Sequence, residues 1–362
     1  MKSSSRPALP LEALLAPLAS LYAGIMRVRN VGYTRGWLPS YEVGVPVLSI
    51  GNLTAGGTGK TPLTELFVGA LLARGVRVGI ISRGYRGTGT GAERVRPEAG
   101  AEGARRFGDE PTWLAGRFPT VPVYVGTDKV AVCQKLLSEN SVDLIVADDA
   151  FQHRRLRRAF DVVVMDASEP AWHYRQLPLG RLREGFASLG RAHAVFLTKV
   201  NLAEPSHLAW LREQAGRVGP ADRSGQSALG FKLHVFEMSY RIQSFHQLAT
   251  GSTRSISGER VLLVSGIARP ATFPLLVKDA APEAEIVEHL VFADHHPYTA
   301  DDFAKIEAKA LALKANRIIV TEKDAVKMAD WRPGVDVLVS RLEARSEQDL
   351  EEFYEVIRRL AL

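Results

Sequence analysis

The segment from Val45 to Pro62, Val-Pro-Val-Leu-Ser-Ile-Gly-Asn-Leu-Thr-Ala-Gly-Gly-Thr-Gly-Lys-Thr-Pro, constrains the fold more than any other part of the chain. It reads as a buried strand, a glycine-rich turn and the start of a helix, the context that makes a Walker A loop. Glycines let backbone N–H groups turn inward around phosphate oxygens, and the helix N-terminus adds partial positive charge. The expected loop is Thr54, Ala55, Gly56, Gly57, Thr58, Gly59, Lys60 and Thr61. Lys60 is expected to reach the β and γ phosphates of a nucleotide, and the Thr61 hydroxyl to ligate magnesium. Thr54 stands where the consensus has its first glycine, but the residues after it keep the loop small. A lysine just before the paired glycines would mark a partner-activated dimeric ATPase; that position is Ala55, which argues against one.

Magnesium beside the phosphates needs a carboxylate at the end of a neighbouring strand. The run Leu144-Ile-Val-Ala-Asp148-Asp149 supplies two, with Asp148 in the Walker B position. A strand-terminating turn is the plainer use of such an aspartate, and the P-loop tips the balance toward the metal. Three further clusters draw notice. Ile81-Ser-Arg83-Gly-Tyr-Arg86-Gly sets two guanidinium groups after a strand, where they suit an anionic substrate. In Gly108-Asp109-Glu110-Pro111 a carboxylate precedes a helix start, as a cap or a base. Phe292-Ala-Asp294-His295-His296 joins an acid to two imidazoles and fits acid-base chemistry better than zinc, which would want more ligands.

Val/Ile/Leu runs alternate with helical patterns almost throughout, as in a parallel sheet buried on both faces. The expected architecture is α/β: a P-loop NTPase-type, mostly parallel sheet flanked by helices, with a second smaller α/β lobe and an N-terminal amphipathic helix. The expected units are residues 1–40 (helix and linker), 41–220 (nucleotide-binding core), 221–260 (β-rich connection) and 261–362 (C-terminal α/β lobe), with the active site between the lobes. The polar stretch Gly219 to Gly230 marks a boundary or an inserted hairpin.

A net charge of +6 suits an anionic partner, but the arginine clusters lack interleaved aromatics, which disfavours nucleic acid. One cysteine, Cys133, excludes a disulfide framework and reads as a small buried hydrophobe. No uninterrupted apolar run reaches the roughly 18 to 20 residues that span a bilayer. Leu11, Leu14, Leu15, Leu18, Tyr22 and Ile25 recur at helical spacing, followed by Arg27, Arg29 and Arg35, which suits a helix lying on an anionic membrane or packed on the protein itself.

Taken in order, the chain resembles the tetraacyldisaccharide 4'-kinase family. The matching runs are Gly51 to Pro62, Ser82-Arg-Gly-Tyr85, Gly108-Asp-Glu-Pro111, Asp148-Asp-Ala-Phe-Gln-His153, Leu177-Pro-Leu-Gly180, Leu182-Arg-Glu184, Ser265-Gly-Ile-Ala-Arg-Pro270, Phe292-Ala-Asp-His-His296 and Thr321-Glu-Lys-Asp324. Ala150 stands where glycine is expected. The resemblance implies transfer of the ATP γ-phosphate to the 4'-hydroxyl of a tetraacylated glucosamine disaccharide 1-phosphate, at the cytoplasmic face of the bacterial inner membrane. It implies ATP and Mg2+ as cofactors, Asp109 as the base with His295 beside it, and Asp149 and His153 in support of the metal site. Arg83, Arg86 and Arg183 are candidate phosphate contacts. Thr321-Glu-Lys-Asp324 resembles a base-reading motif of GTPases or caps a helix. The rival readings are a metallochaperone-type P-loop GTPase, which would want a metal-binding His/Cys cluster, and a membrane-peripheral nucleotide switch, which would phosphorylate no acceptor. Oligomeric state is not legible.

Overall fold

The computed structural model describes residues 9–84, 87, 91–98, 100–217 and 233–361. Arg86 and the stretch 219–230 lie outside them. The chain begins with helix α1 (Leu9–Thr34), then β1 (Val47–Asn52), α2 (Lys60–Ala73) and β2 (Val78–Ser82). Next come β3 (Glu93–Val95), α3 (Gly100–Phe107), α4 (Asp109–Arg117), β4 (Val123–Val125), α5 (Lys129–Glu139), β5 (Leu144–Asp148), β6 (Phe160–Asp166), β7 (Ala194–Thr198) and α6 (Pro205–Gly216). The remainder is β8 (His234–Gln247), β9 (Thr253–Arg254), β10 (Arg260–Ser265), α7 (Thr272–Ala280), β11 (Glu285–Val291), α8 (Ala300–Ala312), β12 (Arg317–Thr321), α9 (Glu322–Lys327), β13 (Asp336–Ser346) and α10 (Glu351–Ala361).

The strands form one sheet in the order β11-β10-β12-β13-β8-β7-β6-β1-β5-β2-β4-β3, with β9 against β8. The apolar runs are its central strands: β1, β5, β6 and β7 are buried at every position. Each half of the sheet is parallel apart from edge strand β3 and short β9, and the halves meet through the antiparallel pair β8 and β13. The lobes therefore share a continuous sheet.

The stagger along that pair places the cleft. β7 pairs with β8 only as far as Met238. From the other half, the carboxyl end of β12 reaches the pair at Ser340, which faces Phe245. Because β13 runs opposite to β8, the carboxyl ends of the two half-sheets point toward each other, with ~20 Å of two-stranded ribbon between them. Carboxyl ends are where open α/β sheets hold ligands; here two such edges face one space.

The C-terminus does not stay with the second half. α10 returns to the first half, where Phe353, Tyr354 and Ile357 join the core around α2. Phe353 packs against Phe67, Phe160, Phe196 and Phe236 at centroid distances of 5.3–5.5 Å. Cys133 is fully buried as expected, and burial pushes its thiol up to about 12.

α1 departs from the sequence reading twice. Though no run is uninterrupted, an 18-residue window within Leu11–Thr34 has a mean hydropathy of 1.4, and the helix is long and apolar enough to cross a membrane by length and composition. Small residues interrupt the leucines without adding charge, which is why run length underestimates it. The expected single apolar stripe also divides. Leu15 and Tyr22 are partly covered, whereas Leu11, Leu14, Leu18, Leu21, Ile25 and Val28 form an exposed row at spacings of three and four. Pro17 lies within the helix without ending it.

Candidate active site

The P-loop is tied down from behind before any ligand enters. Asn52 closes β1, and its Nδ2 donates to the Thr54 carbonyl (2.7 Å) and the Thr58 hydroxyl (3.0 Å). Thr198, at the end of β7, donates to the Thr58 carbonyl at 2.9 Å. Gly59 caps α2 in the left-handed region (φ 81°), and a Cβ there would sit 2.8 Å from the Tyr240 ring. That close approach lets the Tyr240 hydroxyl donate to the Gly59 carbonyl at 2.5 Å, so the ribbon under the cleft holds the loop directly. Ala55 to Thr61 line a cleft of ≈ 340 Å³; Thr54 lies beneath them, bridged to Leu182.

β5 delivers its two aspartates with different partners. Asp149, in the left-handed region (φ 48°), lies 3.5 Å from Lys60 Nζ and 3.1 Å from Arg183 Nη1. Burial alone would raise its pKa, but Lys60, Arg183 and Lys129 hold it well below the usual carboxylate range. Asp148 is pushed up to about 6 by burial and by repulsion from Glu110. Its Oδ2 accepts from Ser82 at 3.3 Å, while Oδ1 is buried without a hydrogen-bond partner. An orphaned carboxylate oxygen beside further carboxylates and the buried Thr61 is the donor set a hard divalent cation takes. The residues present fit magnesium. His153 is held neutral, its pKa lowered to about 4 by burial and by Lys129.

From the facing edge, the loop after β11 and helix α9, which follows β12, reach α4. Asp109 is the first residue of α4, preceded by Gly108 at φ 94°, and its Oδ2 lies 3.1 Å from His295 Nδ1 and 3.2 Å from Lys327 Nζ. Burial favours the neutral acid, yet the hydrogen bond with His295 and the charge of Lys327 lower the pKa on balance. Asp109 is therefore ionised and buried behind His295, which lines the cleft with Asp294 and Glu110. The structure thus brings Asp109 and His295 together, 186 residues apart in sequence.

Thr321-Glu-Lys-Asp324 takes up the helix-capping use. Thr321 caps α9, accepting from the Asp324 N–H, and the buried Asp324 carboxylate accepts from the Gly266 N–H (3.0 Å) and the Tyr298 hydroxyl (3.0 Å). Lys323 pairs with Glu110 across the two lobes. Glu110, Lys323, Lys327 and Tyr240 went unassigned in the sequence, although Glu110 and Lys323 lie inside motifs already singled out. Lys129, whose Nζ donates to the Asp148 carbonyl at 2.6 Å, had no such signal. Arg83 and Arg183 line the cleft.

The sequence also matches a family model, Tetraacyldisaccharide-1-P 4'-kinase, over residues 11–360. The chain belongs to this family. Among its relatives, the tetraacyldisaccharide 4'-kinase of Bdellovibrio bacteriovorus is 38% identical over 324 residues, 88% of this chain and 90% of that protein. That of Anaeromyxobacter dehalogenans is 37% identical over 333 residues, covering 88% and 83%. The fold matches the crystal structure of the "apo" form of LpxK from Aquifex aeolicus in complex with ATP, with a TM-score of 0.72 over 97% of this chain and all of that one, at 23% identity. The expected P-loop architecture, a mostly parallel sheet flanked by helices, is therefore shared with that structure. Membership leaves no place for the metallochaperone GTPase or nucleotide-switch readings.

Proposed function

We infer that the protein is an ATP-dependent tetraacyldisaccharide 4'-kinase of lipid A biosynthesis. The observation that carries this is one cleft with a Walker A loop on one edge and, where the two halves meet, a buried Asp109–His295 pair, in a chain of that family. The acceptor's 4'-hydroxyl oxygen forms a bond to the γ-phosphorus, the bond to the β-phosphate bridging oxygen breaks, ADP leaves, and the hydroxyl proton goes to Asp109.

In this reading His295 orients the Asp109 carboxylate, and Lys327 keeps it ionised until the proton arrives. Lys60 and the inward N–H groups of Ala55 to Thr61 stabilise the phosphate charge that moves toward the bridging oxygen. Asp148 and the Thr61 hydroxyl would hold magnesium, because Asp149 is already engaged by Lys60 and Arg183. When bound, that ion neutralises charge on the β and γ phosphates. Arg83 and Arg183, which line the cleft, would meet phosphate oxygens of either substrate, and Glu110 would help hold the ion.

The exposed row on α1 gives the lipid acceptor its approach. Six large apolar side chains on one helix face, with Arg27 near the end of the row and Arg35 after it, suit the acyl boundary and headgroups of an anionic bilayer, here the cytoplasmic face of the inner membrane. The acceptor's chains then stay in lipid while its sugars enter the cleft. Transfer of label from γ-labelled ATP to tetraacyldisaccharide 1-phosphate in detergent micelles tests the assignment. Wild type is expected to label the lipid, and Lys60→Ala to lose at least roughly a thousand-fold. Hydrolysis of ATP without labelled lipid would overturn it.

A further inference from the structure

Apart from the Glu12–Arg175 ion pair (3.1 Å) near the start of α1, the polar contacts that seat the helix on the body gather on the stretches that hold the active-site aspartate. The Tyr22 hydroxyl donates to the Arg183 carbonyl at 3.0 Å, and Arg29 Nη2 to the Gln152 carbonyl at 2.8 Å. Asn30 donates to the buried Glu184 carboxylate at 3.0 Å, and Arg154 Nη1 donates back to the Asn30 carbonyl at 2.6 Å. Among the described residues, none of the five buried apolar clusters includes a residue of α1. Directional bonds to named carbonyls therefore decide where this helix sits, as greasy packing would not.

The residues so held are the ones that organise the phosphate site. Arg183 Nη1 grips both Asp149 oxygens, at 3.1 and 3.2 Å, and lies 3.4 Å from Gln152 Oε1. Gln152 Nε2 donates to the Asn52 carbonyl at 2.7 Å, and Asn52 ties Thr54 and Thr58 of the P-loop. A short path of hydrogen bonds thus runs from α1 to Asp149, Lys60 and the loop.

We propose that α1 is a positioning element of the phosphoryl-transfer site: Tyr22 and Arg29 act through Arg183 and Gln152 to set Asp149 against Lys60. This rests on the kinase reading above. One helix then carries two separable duties, with the exposed leucine row facing lipid and the polar inner face setting the rate. A site that needs sub-ångström placement of Lys60 loses turnover when its supports slacken, while the acceptor's own contacts are untouched.

The test compares kcat and acceptor KM in mixed detergent micelles with co-sedimentation on phosphatidylglycerol/phosphatidylethanolamine vesicles. Tyr22→Phe is expected to lower kcat roughly five-fold and Arg29→Met roughly ten-fold, the scale of one lost hydrogen bond and one charge-assisted bond. Acceptor KM and vesicle binding stay at the wild-type level, and Arg29→Lys, which keeps a cationic donor, recovers part of the rate. The double variant Leu14→Ser/Leu18→Ser behaves oppositely: vesicle binding falls, acceptor KM rises and kcat holds. Wild-type kcat in both Tyr22→Phe and Arg29→Met would overturn the proposal, as would a change confined to KM and vesicle binding. Should Arg29→Met fail to fold by thermal melt, Tyr22→Phe decides, since it removes a single oxygen. A wild-type protein that labels no lipid sinks the kinase reading instead.

Discussion

The phosphate edge of the cleft takes its loop from eight consecutive residues, Thr54 to Thr61, and its carboxylates from one strand end. The base site is instead assembled from both halves: Asp109 comes from α4 on the nucleotide-binding half, His295 from the loop after β11 and Lys327 from α9 on the other. A phosphate cradle is local because backbone N–H groups must turn together within one loop. An acid-base pair needs only two side chains to meet, so any elements that the sheet brings together can supply it. The first edge has its chemistry in place on its own half-sheet; the second acquires its base only when both halves are joined.

The change that most strains this comparison is Asp109→Asn. If the pair that joins the halves supplies the base, phosphate transfer falls about a thousand-fold while ATP binding, a property of the P-loop, is unchanged; titration with a fluorescent ATP analogue alongside labelled transfer measures both. Equal losses in the two would mean that the edges are not separable. Because His295 rather than Asp109 lines the cleft, His295→Ala belongs in the same experiment. A larger loss there than in Asp109→Asn would give the proton to the imidazole.

Tyr240→Phe sharpens the comparison at the point where the ribbon touches the P-loop. Losing the hydroxyl bond to the Gly59 carbonyl should raise the KM for ATP roughly five-fold and leave acceptor KM unchanged, as steady-state kinetics would show. The smallest effect is on stability. Glu322, on the facing edge, is pushed up to about 7 by burial from an ordinary 4.5. The folded protein holds a proton that the unfolded chain releases, so this group's contribution is fully present below about pH 4.5 and is lost as pH rises through 7. Glu322→Gln keeps an acceptor for the Leu342 N–H (3.1 Å) and should add about 1 kcal/mol at pH 8, after allowance for its partial exposure. Denaturant melts at about pH 6 and pH 8 check it: the variant's stability should no longer fall between them.

The same contrast explains what could be read in advance. Strand ends at Asp148 and Thr198 and the helix over Lys129–Glu139 follow from local patterning, and the loop from glycine spacing. Asp109 and His295 were named as partners through family resemblance; their own spacing said nothing of a meeting across the cleft. The stagger of β7 and β12 along the ribbon has no local signature, because register between distant strands depends on which faces both halves bury. Glu110 and Lys323 lie within recognisable motifs, yet nothing in either motif names the other as its partner. The faces of α1 were misjudged for a related reason: apolar side chains all round hide from periodicity which side touches protein and which touches lipid.

Phe353 gives the molecule an order of assembly. Its ring fills the centre of an aromatic group otherwise built from α2, β6, β7 and β8, so the half that binds the nucleotide waits for a segment made long after its own strands. During synthesis the nascent chain must carry that uncovered aromatic surface, with its P-loop already outside the ribosome, until α10 arrives. A ribosome that stops short of Phe353 therefore leaves behind a chain with its whole phosphate motif and an open core, recognisable to chaperones and proteases as unfinished.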